Sequence, residues 1–417
     1  MTDLNKHLIE QLKTVPNLLL RQAVVKKLED QGIHDEAMLE ALTDHILSES
    51  KETFLWDDGQ PDHTKDLHIE FTDDDTKEIE DAYRTFIKDG LPEVIKNSVK
   101  DGAKTLVKAL EKRWPEQKIE ERNDTQHFRD RIDLRWAKAI DPLRMILIAS
   151  REVGQEFAEK LARSKAKNGI VKREAIMALH MRACQTTMEI LTLLENGLSD
   201  GAFARWRTLY EISVVALVID RFGDEIAERY LLHDVVTMRE AVKNEFKHDD
   251  KIYDPTALTG EEKEIEDEFQ ALIVEYGKSF GSSYGWAAES LKIKSPRFQD
   301  LEQAIDWISL PPHYKWSSYK VHAGVAGTIR SLGSFGGQPI LHAGASNAGL
   351  DTPAVNTAYS LMQITSLVFG RFTDLENQIK LQSLVLLRDK VVRECRKAAT
   401  KLENDEMEIR LGVSDTD

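Results

Sequence analysis

The chain has 417 residues, 41% of them hydrophobic and 31% charged, with a formal net charge of −16. That length exceeds what one simple core needs and points to about two to three domains or one extended helical assembly, while the acidic balance argues against a protein that wraps duplex nucleic acid, which shows a basic face. Two cysteines, Cys184 and Cys395, leave no room for a disulfide framework and point to a reducing compartment.

No window reaches the roughly 18 apolar residues of a membrane span. Met1-Thr2-Asp3-Leu4-Asn5-Lys6-His7 is followed by no apolar leader, so no membrane and a cytoplasmic location are expected. Residues 2–50 read as short amphipathic helices: Leu18-Leu19-Leu20, Val24-Val25 and Leu28 belong to one, a break falls at Gly32, and Ala37 to Ile46 form another. This N-terminal helical module, residues 1–50, is expected to dock a protein partner. Residues 51–115 read as a linker and helical connector. Trp56 to His63 is turn-rich, and Leu67-His68-Ile69-Glu70-Phe71 alternates as a minor strand would. Thr72 caps a helix whose Asp73 to Asp75 suit the positive end of its dipole, and Gly90-Leu91-Pro92 is predicted to end it. From Glu93 to Lys118 the chain is basic and amphipathic, with Lys96, Lys100, Lys104, Lys108 and Lys112 on one stripe and Ile95, Val99, Leu106 and Leu110 on another. A solvated face is the plain reading, a phosphate-contacting stripe the functional one.

Residues 116–403 form the main helical domain and 404–417 an acidic tail. A helical pattern runs from Phe128 to Ala162, with a kink or break predicted at Pro142. Another runs from Val171 to Leu194. The segment Arg205 to Ile219 organises the rest: Val214 to Ile219 is apolar at every helical phase, so other helices should wrap it on all sides. Thr259 and Glu262 have capping-box spacing, and Ser295-Pro296 opens a helix through Ile305 and Trp307 that Pro311-Pro312 stops. An aromatic-rich stretch from Tyr314 to Gly324 precedes a glycine-punctuated loop, Gly333 to Gly349. Helices through Tyr359 to Phe372 and from about Leu381 to Glu403 complete an all-α, multi-helix bundle.

The chain lacks His-Glu-x-x-His, paired Cys-x-x-Cys, Walker, Gly-x-Gly-x-x-Gly and Gly-x-Ser-x-Gly patterns. Zincin, P-loop, Rossmann and common serine-hydrolase chemistry are therefore not expected, and neither a metal nor a cofactor is. His180 and Cys184 share a helix face but have no further ligand near in sequence, so core packing is the reading there. His63 and His68 flank the linker and are read as solvent-facing. Arg122-Asn123-Asp124-Thr125-Gln126-His127 has the Arg, polar, three-spacer, His spelling of metal-independent ribonucleases, and Arg229 to His233 falls one residue short of it, reading as a surface Arg and a partly buried His. Arg207 and Glu211, at i, i+4 beside the apolar segment, are charges driven inward, where they need partners. Were the Tyr314 to Gly324 helix to lie beside them, Arg207, Glu211, Tyr319 and His322 would converge on a polar pocket. His322 would then be the acid–base group, Arg207 the phosphate clamp and Glu211 its orienter. The alternative is a buried polar network that holds two helices in register.

Arg207-Thr208-Leu209-Tyr210-Glu211 and the segment Tyr314 to His322, in which Ser317 stands where Leu is usual and Ser318 keeps the Ser, resemble an uncharacterised bacterial all-helical family. The likeness is expected to cover residues 120–395, including Trp136 and Arg151-Glu152-Val153-Gly154. A looser resemblance, to the helical HEPN-type ribonuclease superfamily, implies cleavage of RNA or another phosphate ester in a phage-defence or toxin-like role, with paired subunits. The competing expectation is a non-catalytic interaction or scaffold protein that docks a partner through residues 1–50.

Overall fold

The computed structural model describes residues 2–48, 54–56, 69–165, 168–248, 253–256, 258–305, 310–334, 343–369 and 374–411. Among them the regular structure is helical and no strand occurs, so the protein is all-α. The sequence allows at most a minor strand near 67–71, and the described part of that stretch forms none: Leu67 and His68 lie outside the described residues, and Ile69 to Phe71 have no regular structure. An isolated strand leaves its backbone donors and acceptors unpaired, and the described chain offers it no neighbour. His63, Trp307 and the middle of the Gly333 to Gly349 loop also lie outside the described residues.

The chain divides into two compact units, Met1–Glu120 and Glu121–Asp417. In the first, α1 (Thr2–Asp30), α2 (Glu36–Leu47) and α3 (Asp73–Thr85) close a small core of Val24, Leu28, Ile33, Leu39 and Leu42. Gly32, at φ 84°, makes the turn out of α1. Asp35 then caps α2 by accepting the Met38 N–H at 2.7 Å. Thr72 opens α3 with a reciprocal capping box: its hydroxyl accepts the Asp75 N–H, and the Asp75 carboxylate accepts the Thr72 N–H at 2.7 Å. Lys27 ties α3 to α1 through that carboxylate at 2.7 Å, and its hydrogen bond, with those of Thr72, pulls Asp75 down to about 2.

Gly90-Leu91-Pro92 does not end the helix. A π turn over Phe86–Gly90 leads straight into α4 (Leu91–Ala162), and the Leu91 N–H reaches back five residues to the Phe86 carbonyl. The missing donor of Pro92 thus falls where the hydrogen-bond ladder has already shifted register. Pro142 does not break α4 either. Ala139, Ile140, Leu143, Ile146 and Leu147 around it are buried, and at about 1.5–3 kcal/mol per large apolar side chain this outweighs the roughly 3 kcal/mol cost of an interior proline.

The second unit is built on α5 (Ile170–Glu195) and α6 (Ser199–Phe222). It continues through α7 (Asp224–Leu232), α8 (Asp234–His248), α9 (Gly260–Tyr276), α10 (Ala288–Leu291), α11 (Phe298–Gln303), α12 (Pro311–Val321), α13 (Val325–Ile329), α14 (Asp351–Val368) and α15 (Leu375–Leu411). Helix α6 packs against α5, α7, α11, α12 and α14, and Val214, Ala216, Leu217, Val218 and Ile219 are buried, as the unbroken apolar run predicts. Trp206 is fully buried, stacks on Phe203 at 5.4 Å and donates to Ser360 of α14 at 3.1 Å. Thr259 precedes α9 without a side-chain cap. Helix α15 extends to Leu411 where an acidic tail from residue 404 was expected, because Asp405 is held by Arg135 and Leu402 is buried. Among the described residues no helix is long and apolar enough to cross a membrane.

Candidate functional site: the polar cluster between α6 and α12

Arg207 and Glu211 lie one turn apart on α6, and the guanidinium Nε donates to Glu211 Oε1 at 3.0 Å. Tyr314 of α12 completes the group. Its hydroxyl donates to the same carboxylate oxygen at 2.5 Å and accepts from Arg207 Nη2 at 2.9 Å, and the guanidinium carbon sits 4.8 Å from the ring centroid. Burial and the neighbouring Glu211 push the Tyr314 hydroxyl well above its ordinary range. Burial works against the charge on Arg207, but Tyr314 and Glu211 more than offset it and hold the guanidinium charged. Behind this group Tyr210 donates to Glu302 at 2.7 Å and accepts the Leu310 N–H at 3.1 Å. Burial raises both Tyr210 and Glu302 above their usual ranges. Phe298 packs against both tyrosines, 4.7 Å from the Tyr314 ring, and the two tyrosine rings lie 5.5 Å apart.

A second clip fixes the direction of α12. Lys320 pairs with Asp200 in the first turn of α6 at 3.1 Å, and the same carboxylate accepts from Ser331 at 2.7 Å and from the Leu332 N–H at 2.9 Å. Tyr314 therefore meets the middle of α6 and Lys320 meets its start, so the two helices run antiparallel. Tyr319 and His322 follow Tyr314 toward the Asp200 end; at about 1.5 Å per residue, His322 lies roughly 12 Å farther along the helix. Both are exposed, and neither hydrogen-bonds to Arg207 or Glu211. The structure thus brings Arg207 and Glu211 together with Tyr314, not with Tyr319 and His322. Tyr314 opens the very segment singled out in the sequence. The helical phase could have identified it, since Tyr314, Ser317 and Ser318 share a face on which Ser317 is fully buried, whereas Tyr319 points about 140° away. His313, also unremarked in the sequence, lies within 3.0 Å of the buried Asn356 amide and stacks on Trp316.

The other sequence candidates have plain surroundings. His180 and Cys184 are both buried, with His180 Nε2 3.1 Å from the Thr365 hydroxyl, which donates in turn to Ser150. Burial lowers His180 to about 4 and raises Cys184 to about 11, leaving a neutral imidazole and an unreactive thiol. Gly154 lets the imidazole ring lie against α4, where an added Cβ would come within 2.8 Å of it. Arg122 and His127 are both exposed on α4, and their five-residue spacing turns them about 140° apart. Arg229 is buried, not on the surface: it pairs with Glu225 and Glu289 and packs over the Tyr276 ring at 5.0 Å.

Residues 173–339 match a family of unknown function (DUF5677). The matched segment starts in α5, ends beyond α13 and holds Arg207, Glu211, Tyr314, Tyr319 and His322. It is shorter than the expected 120–395, leaving out Trp136, Arg151 and the whole of α14 and α15. No curated protein and no solved structure matches the chain.

Proposed function

We propose that this protein is a non-catalytic interaction protein that docks a partner helix, and that the Arg207–Glu211–Tyr314 cluster is a structural lock between α6 and α12. One observation carries the reading: every residue of α4 from Pro92 to Glu120 is exposed, although the stretch is strongly amphipathic. Ile95, Val99, Leu106, Leu110 and Trp114 recur every four or seven residues along one broad face, each at least 40% exposed. An apolar face of this length left in water marks an interaction site. The lysine stripe, Lys96 to Lys112, runs beside that face against only Glu93, Asp101 and Glu111. A second copy would set lysines near lysines, so the occupant that fits is an amphipathic helix of a partner protein with acidic flanks. The docking surface we propose is therefore this part of α4, in the first unit, rather than the helices of residues 1–50.

Cleavage of RNA by the expected four residues is less well supported, because a phosphate clamp needs a free guanidinium beside the imidazole. Arg207 is engaged by Glu211 and Tyr314, and His322 sits along the helix from it. The test titrates the full chain with two synthetic amphipathic helices that differ only in their flanks, glutamate or lysine. The glutamate peptide is expected to blue-shift the Trp114 emission, identified by subtracting a Trp114→Phe variant, and Leu106→Asp should abolish the shift. Binding of neither peptide, or concentration-dependent self-association through this face, would overturn the proposal.

A further inference from the structure

Helices α4 and α15 face one another across a cleft of about 510 Å³ within the second unit. Five cations line it: Arg131, Arg135 and Lys138 from α4, and Lys397 and Lys401 from α15. Their spacings, four and three residues on α4 and four on α15, put each set on one helix face. Ile132, Trp136 and Ala139 on the adjacent face of α4, with Cys395 and Leu402 on α15, are buried, so the cations stand on helices anchored in the core and not on loops. The protein carries a net charge of −16, and many of its cations pair with carboxylates, as Lys172 does with Asp220 and Lys380 with Glu156. In the cleft, Lys138 and Lys401 have no ion-pair partner among the described residues. The one carboxylate in the lining, Glu394, is already engaged by Arg393 at 2.9 Å and Lys397 at 3.2 Å.

Two further features suit an anion here. Arg135 spends Nη2 on Asp405, but its Nη1 is buried with no hydrogen-bond partner among the described residues, an arrangement that native structures avoid. Asn347, at the edge of the cleft, accepts from Trp136 Nε1 through both its carbonyl, at 3.1 Å, and its side-chain Oδ1, at 2.9 Å. That bifurcated hydrogen bond fixes the amide and leaves its NH₂ as a donor. Convergent cations repel one another unless an anion lies between them, and here a fixed amide donor accompanies them.

We infer that the α4–α15 cleft binds a chain of linked phosphates, either free polyphosphate or the triphosphate of a nucleotide. The cleft has the volume of a small-ligand site, and none of its lining side chains is aromatic. A base has no ring to stack on, so recognition rests on the phosphates. All the lining residues fall outside residues 173–339, so the site is separate from the matched family segment.

The test measures calorimetric binding of inorganic tripolyphosphate, ATP, AMP and a dephosphorylated single-stranded RNA 12-mer to the full chain. Tripolyphosphate and ATP should bind with similar affinity, AMP at least about tenfold more weakly, and affinity should fall steeply with salt. Lys138 and Lys401 have no ion pair among the described residues, so the double variant Lys138→Gln/Lys401→Gln should keep the melting temperature of the free protein while losing tripolyphosphate binding at least tenfold. Tripolyphosphate alone binding would identify the free polymer, and ATP binding markedly tighter would identify the nucleotide; both sustain the inference. It is overturned if tripolyphosphate and ATP fail to bind at about 1 mM, if the double variant binds as well as the parent, or if the unphosphorylated RNA binds most tightly.

Discussion

His180 sits against Gly154 of α4 and faces the hydroxyl of Thr365, and among the described residues no carboxylate pairs with it. Burial lowers it from 6.5 to about 4, so between those values the unfolded chain takes up a proton that the folded chain refuses. Its contribution to stability is therefore complete above pH 6.5 and is lost as the pH falls toward 4, by about 3 kcal/mol at 1.36 kcal/mol per unit. Urea midpoints measured across this window should fall for the parent and fall less for His180→Gln. At Tyr314 the hydroxyl is shared between a guanidinium and a carboxylate that are both partly buried. Tyr314→Phe should cost about 1–3 kcal/mol, the range for a hydrogen bond to a charged group, read from the same denaturation curves. His322→Ala, on an exposed side chain, should move stability by less than about 0.5 kcal/mol.

Among the elements, α4 shows how local breaker signals lose to packing. Proline at 92 and 142 and glycine at 90 are strong terminators taken alone, and a reading of the sequence ends or kinks a helix at each. In the fold, a π turn absorbs Gly90 and Pro92, and a buried flank carries Pro142. Pro142→Ala should give back the hydrogen bond to the Lys138 carbonyl and raise stability by about 1–3 kcal/mol in urea unfolding, since only packing now offsets the proline. Helix α12 shows the complementary case. Its existence and aromatic character were legible, but the face it turns to α6 was not, because two clips far apart in sequence, Tyr314 on Glu211 and Lys320 on Asp200, set its direction.

At the scale of the whole molecule, the second unit is organised on α6, where Trp206, Tyr210 and Val214 to Ile219 meet α5, α12 and α14. Trp206→Ala removes a fully buried indole and orphans the Ser360 hydroxyl, and should cost about 3–5 kcal/mol in chemical unfolding. What the sequence alone determined is what depends on neighbours a few residues away: helix as the dominant regular structure, the cap at Thr72, and an α6 segment from Val214 to Ile219 with no polar face, since 3.6-residue periodicity and capping are local properties of the chain. The tertiary structure alone decided which polar groups meet. Tyr314 in place of Tyr319, the burial of Arg229, the neutral His180 and the cations of Arg131 and Lys401 across one cleft all follow from how helices distant in sequence pack. Each such contact is set by the balance of burial, pairing and desolvation at a junction, and no stretch of residues carries both halves of a junction.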